Sequence, residues 1–483
     1  MKKVNKRMNA GMNMGSARKM LVLTALVTAL NACAAGDDYA RLQVPAAVHP
    51  EFQVPATSHA VPAEEVVARW WETLGDAQLT NLVDVALGHN NDVGVALANL
   101  ELARSNLRAD SLNRLPDIGT SVSATDQRLS DAVTVPGADT RFTTYQAGFD
   151  AAWELDLFGR LGQAVNASRA ELEASQADLD QVYVTVAAEV ARTYIQLRGA
   201  QHRLDVSQRN VGNLEQSYDL TRQLMEGGLG DGLDVQRALT QLELARSGLP
   251  QLNAEVDAAI NRLSVLTGQM PSSLRGELAL AQPLPSIPPS VSVGDPVDLL
   301  KRRPDIRRAE RQLASSIARY NMSVADLYPR VSITGSIGFL ATAFADLGTG
   351  GTLTHLIGPQ ISWDAFNFGR VQNRIDAADA RVQGQLELFE KTLLTSFEEV
   401  DNAMSALSWE MERRANLRAA AEASAQSSSF ALQRFEAGTD SFLDVLDAQR
   451  TQLEAEDLLA RSETDLALDV ISLYKALGGG WQL

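Results

Sequence analysis

Apolar and polar positions alternate one for one in four short stretches of this chain. In 330–341, Val331, Ile333, Ile337 and Phe339 alternate with Ser332, Thr334, Ser336 and Gly338. In 355–366, Ile357, Ile361, Trp363 and Ala365 alternate with Gly358, Gln360, Ser362 and Asp364. Two earlier stretches, about 117–125 and 143–153, do likewise, the second with Tyr145, Ala147, Phe149, Ala151 and Trp153 on one face. A period of two predicts strands with one apolar face and one small, polar face. Each stretch is about ten residues, the length a tilted membrane strand needs. Soluble hairpins packed on helices would show the same pattern. Four strands cannot close a membrane barrel, because the smallest barrels need about eight and an open edge is not tolerated in lipid. In a membrane the wall is therefore shared between chains: two give eight strands and three give twelve.

Between the hairpins the period changes to seven. Tyr183, Val190, Leu197, Leu204, Val211, Tyr218 and Met225 are evenly spaced, with mostly small residues three further on. This is a coiled-coil seam. No proline interrupts 160–226 or 370–437. A helix over 160–226 would reach about 100 Å, far longer than a globular core requires. A filament-like coiled coil, or a tube standing off a membrane, could use that length. Glycine-containing turns at 226–232 and 437–441 end these helices, and returning helices follow over about 231–268 and 441–477. Gly248 and Pro250 should break or kink the first of these.

The pattern occurs twice. Trp153, Phe158, Gly159 and Arg160 recur as Trp363, Phe368, Gly369 and Arg370; Gly228, Asp234 and Gly268 recur as Gly438, Asp444 and Gly478, always 210 residues on. Upstream, Asp92 and Pro116 recur as Asp305 and Pro329, an offset of 213. This is a duplicated domain rather than a solenoid, with repeats over 76–285 and 286–483. Each holds a helix, a hairpin, a very long helix and a returning helix.

Composition narrows the function. The net charge is −17, and the first 33 residues hold six cations and no acid, so the remainder is more acidic still. Nucleic acid, which needs a basic face, is a poor partner. Met20 to Leu30 is an apolar run too short to span a bilayer, followed by Leu30-Asn31-Ala32-Cys33. That layout is an export signal over 1–33. It resembles a bacterial lipoprotein signal, with the lone cysteine, Cys33, as the lipidated residue; ordinary cleavage after Ala34 is the alternative. Residues 34–75, with Pro45, Pro50, Pro55 and Pro62, read as an extended arm.

Lys301-Arg302-Arg303-Pro304-Asp305-Ile306, Leu327-Tyr328-Pro329, Phe368-Gly369-Arg370 and Gly438-Thr439-Asp440-Ser441-Phe442-Leu443-Asp444 together resemble the TolC-like outer-membrane efflux proteins. With Cys33, the likeness is to the lipidated branch that serves resistance–nodulation–division (RND) pumps. The resemblance implies a homotrimer in the outer membrane. Its twelve-stranded β-barrel would continue as an α-helical barrel into the periplasm, forming the passive exit duct of a tripartite efflux system. The partners implied are a periplasmic adaptor and an inner-membrane RND-type pump. Gly228, Leu229, Gly438 and Thr439 match the tips that meet the adaptor. Asp444 and Asp447 match pore-lining positions, where three chains would set rings of carboxylates that favour cations. Arg302, Arg303, Pro304 and Asp305 read as architecture: Pro304 suits the first helical position and Asp305 the positive end of the helix dipole.

No enzyme constellation, cofactor motif or metal spacing emerges. His49, His59, His89, His202 and His355 are scattered, and no phosphate-cradling loop occurs. A duct for protein secretion and a poreless coiled-coil scaffold are the rival readings.

Overall fold

The computed structural model describes residues 60–61, 67–133, 135, 137, 139–288, 291–292 and 302–481. The export signal, Cys33 and Lys301 lie outside the described residues. The chain divides into two compact units. One takes in 101–174 and 309–388; the other takes in 43–100, 175–308 and 389–483.

The element order is α1 (Ala77–His89), α2 (Asn91–Leu112), β1 (Asp117–Arg128), β2 (Arg141–Leu155), α3 (Arg160–Glu226), α4 (Gly232–Leu266), α5 (Pro304–Ala325), β3 (Arg330–Ala341), β4 (Leu353–Ser362), α6 (Phe368–Glu436) and α7 (Phe442–Ala476). Four short 3-10 segments, a four-residue helix over Arg275–Leu278 and a two-residue parallel pair, Ala60–Val61 with Val291–Ser292, complete the described elements. The duplicated helix–hairpin–long helix–helix order is present in both halves.

In the first unit the four strands form one antiparallel sheet in the order β1-β2-β3-β4. The central pairing, β2 with β3, joins the two repeats, with Phe149 opposite Ile337 and Trp153 opposite Ile333. Both outer strands present an open edge. β4 ends at Ser362, short of the expected 366. Trp363 turns away to bond its indole to the Leu327 carbonyl at 3.0 Å, and Asp364 opens a turn that closes on Asn367. Pro359, which has no ladder donor, lies in β4, an edge strand of the single-chain sheet.

The second unit is helical. Its core gathers Trp70, Trp71, Tyr194, Leu197, Ile260 and Leu263, all fully buried. Trp70 stacks on Tyr474 at 5.3 Å. The seven-residue seam of α3 is buried at Val190, Leu197 and Val211, but Met225 at its end is exposed. The expected break at Pro250 does not occur: α4 runs unbroken from Gly232 to Leu266. Pro250 has no N–H to give the Arg246 carbonyl. Both residues are exposed, so water can take its place.

Candidate functional site

The register aligns the strand faces across both repeats. One face carries Ile118, Ala151, Gly335 and Ile357 in one row, and Val122, Ala147, Phe339 and Leu353 in another. The opposite face carries Gly119, Asp150 and Ser336 in a row, with Ser121 donating to Asp150 at 2.9 Å. Phe142, Ala152, Leu340 and Leu356 are its apolar exceptions. From Tyr145 to Trp153 the apolar face runs about 26 Å along β2, of the order of a membrane barrel's apolar band of about 25 Å. Aromatic rings mark both ends: Tyr145 meets Phe344 edge-on at 5.6 Å, and Phe158 stacks on Tyr328 at 4.8 Å. Trp363 and Phe366 are exposed. Amphipathic rings at the two boundaries of an apolar band suit the membrane–water interfaces.

Each hairpin is anchored in the same way. The Trp153 indole donates to the Arg114 carbonyl at 3.0 Å, and the Trp363 indole donates to Leu327 at 3.0 Å. Both acceptors stand two residues before the duplicated prolines, Pro116 and Pro329. Sequence reading found the repeated tryptophans but not these ties, because only the fold brings the helix end to the strand end.

The two helix-ending turns are built alike. At the first, Gly228 donates to Met225 and Leu229 to Leu224; at the second, Gly438 donates to Phe435 and Thr439 to Arg434. Both glycines are left-handed, φ 75° and 73°. Paired bonds of this kind close a Schellman motif. The surfaces differ. Leu229 is 83% exposed. Thr439 folds its hydroxyl back onto the Arg434 carbonyl, and Arg434 pairs with Asp440 at 2.9 Å. The starts of α4 and α7 pack together through Ala238 against Phe442, Val445 and Leu446.

Just past the second turn, Asp444 accepts from the backbone and hydroxyl of Ser441 in a capping box. Asp447 pairs with Arg450 at 2.6 Å. Both carboxylates are exposed in the single chain. Asp444 therefore has a structural task that spacing alone did not reveal.

Arg303 is buried and heavily bonded. Its side chain is 8% exposed and pairs with Asp305 and Glu399, each at 2.7 Å. It also donates to the Ala476 carbonyl at 2.8 Å. Burial opposes the guanidinium charge, but the Asp305 and Glu399 carboxylates outweigh it and hold the pKa above its ordinary value. Pro304 opens α5 directly beside it. In the first repeat the matching residue is Asn90, which donates to the Leu266 carbonyl at 2.9 Å and accepts from the Asp92 backbone at 2.8 Å. Both residues tie the head of one helix to the end of a returning helix. The missing arginine made the Asn90 equivalence hard to see in the sequence.

Comparison with known proteins agrees with the duplication. The family described as outer membrane efflux protein matches residues 82–269 and 296–479, one segment in each repeat. The toluene efflux pump outer membrane protein TtgC of Pseudomonas putida is 30% identical over 469 residues, 96% of each chain. The antibiotic efflux pump outer membrane protein ArpC of Pseudomonas putida is 30% identical over the same span. Among solved structures, the outer-membrane channel OprN is 37% identical with a TM-score of 0.88, covering 93% of this chain and 100% of that one. The open-state MtrE outer membrane channel of Neisseria gonorrhoeae is 26% identical, TM-score 0.82, covering 93% and 99%.

Proposed function

Since this chain belongs to the outer membrane efflux protein family, we propose that three copies pair their open sheet edges into one twelve-stranded barrel and form a continuous passive duct. The chain is the outer-membrane component of an efflux system. The observation that carries the assembly is the four-stranded sheet, apolar on one face and open at both edges. In lipid those edges must be paired. The exported molecules are small toxic compounds, in keeping with the toluene and antibiotics for which its relatives are named. The energy comes from an RND-type pump in the inner membrane, reached through a periplasmic adaptor.

Purified full-length protein should give discrete conductance steps in planar bilayers. Protein that inserts without conducting would sink the duct and favour a scaffold. Asp444 and Asp447 are assigned to the narrow end of the pore, and Asp447→Asn is the cleaner test because Asp444 also caps α7. It should lower the preference for cations over anions; unchanged selectivity would remove Asp447 from the pore wall.

The turns at Gly228–Leu229 and Gly438–Thr439 are assigned to adaptor docking. A Cβ on Gly438 would meet no atom within 4 Å, so a substitution there strains the backbone without a clash. Gly438→Val should cost about 1–3 kcal/mol locally through its left-handed φ. Trimers should form while crosslinking to the adaptor and efflux fall. Normal efflux in this variant would take the turn out of the interface.

Cys33 is assigned as the lipid anchor. A palmitate analogue should label the wild type and not Cys33→Ser; a labelled variant would refute the anchor.

A further inference from the structure

The two repeats differ at a place where their frame is the same. In the first, Arg203 of α3 pairs with Glu255 of α4 at 3.4 Å. In the second, Arg413 of α6 pairs with Asp465 of α7 at 3.6 Å. These positions match across the 210-residue offset. Around the first pair stand Ala200 and Ala259; at the matching positions the second repeat has Glu410 and Asp469. The twin fills both places with alanine, so the helix frame does not require a carboxylate at either. The second repeat has placed two additional acids beside an existing ion pair.

Their surroundings are partly dry. The fully buried Ser462 hydroxyl donates to Glu410, and Arg413 holds Glu410 at 3.1 Å. The charges that act on Asp469 are those of Glu410 from α6 and Asp465 from α7 itself, both acidic. Arg413 is engaged with those same two carboxylates. Arg461 pairs with Asp457 at 2.8 Å and also acts on Asp465. Among the described residues Asp469 has no ion pair of its own, and no group there has the geometry to hold a metal ion.

We propose that Glu410, Asp465 and Asp469 form a proton-operated clamp between α6 and α7. When charged, Asp469 is repelled by its two acidic neighbours and loosens the helix pair. When protonated, it no longer repels Glu410, and its hydroxyl donates to that carboxylate on α6 and draws the pair together. Burial, with the Glu410 and Asp465 charges, pushes Asp469 up to about 6 from an ordinary 3.8. Burial and the Glu410 charge raise Asp465 as well. The native state thus holds this proton more tightly than the unfolded chain does. Stability is gained as pH falls through about 6 and the gain is complete near the ordinary aspartate value; above 6 the charge is present in both states and the fold carries the repulsion. The α3–α4 pair, with alanines in these places, lacks the device. Acid would therefore tighten only the pair that begins at Asp444 and Asp447.

The test is the melting temperature of purified full-length protein in detergent from pH 5 to pH 8, for the wild type and Asp469→Asn. The variant should melt above the wild type at pH 8, and the gap should begin to narrow as pH falls through about 6 and be clearly smaller at pH 5, closing fully only towards the ordinary aspartate value of 3.8. Glu410→Ala, which copies the twin, should move the wild-type transition to lower pH. Asp469→Ala, also the twin's residue, provides a second charge-free variant and should show the same closing gap. A gap equal at pH 5 and pH 8 in both charge-free variants would overturn the clamp.

Discussion

Arg303→Met should cost about 3–5 kcal/mol of stability, the range for breaking a buried ion pair from one side. Methionine fills much of the volume, so the loss is not mainly a cavity. What remains is the Ala476 carbonyl without its donor, Asp305 without its bidentate partner, and Glu399 unpaired. Glu399 is half exposed and can turn to water, which places the expectation nearer 3 than 5. Arg303→Lys keeps the charge but not the planar fork, and should recover only part of the loss. Heat-induced loss of trimer in detergent reads the effect. A Met variant within about 0.5 kcal/mol of wild type would behave like an ordinary surface substitution and would contradict an architectural role.

The reason for that expectation was only half legible in the sequence. Arg302 to Asp305 showed a helix start, and Pro304 and Asp305 explained it locally. The carbonyl that Arg303 reaches lies at Ala476, 173 residues away, and no periodicity reports such a contact. The same distance hid Asn90: its acceptor is at Leu266, and asparagine looked like an ordinary helix cap. The first long helix was plain, because a seven-residue seam over 183–225 within a proline-free stretch repeats often enough to outweigh local noise. Pro250 does not break α4, because an exposed helix can lose one bond to water and continue. The strand faces were legible from period two alone. Their order was not, since nothing in either hairpin says that β2 and β3 meet. The acids at 410 and 469 appeared as unrelated charges on two helices until the fold set them together.

The membrane reading of the strands predicts an effect that depends on which way a side chain points. Ile337 and Ser336 are neighbours in β3, yet they lie on opposite faces. Ile337 aligns with Phe149, and Ser336 with Asp150. Ile337 is 55% exposed in the single chain, an apolar residue with no protein to cover it. Lipid would cover it; Ser336 would face a wet interior. Ile337→Arg should therefore cost about 2–4 kcal/mol if it sits near mid-membrane, and Ser336→Arg much less. Trimer yield in the outer membrane and resistance of the trimer to heat give the comparison. The sheet supports the asymmetry independently, because Tyr145 with Phe344 and the exposed Trp363 bracket the apolar rows at both ends. A soluble hairpin lying on helices would make a different prediction. Its apolar face would pack on protein, its polar face would be solvated, and uncovering Ile337 in a monomer would already be costly. Equal losses at 336 and 337 would mean that neither face meets lipid, and the shared barrel would lose its support.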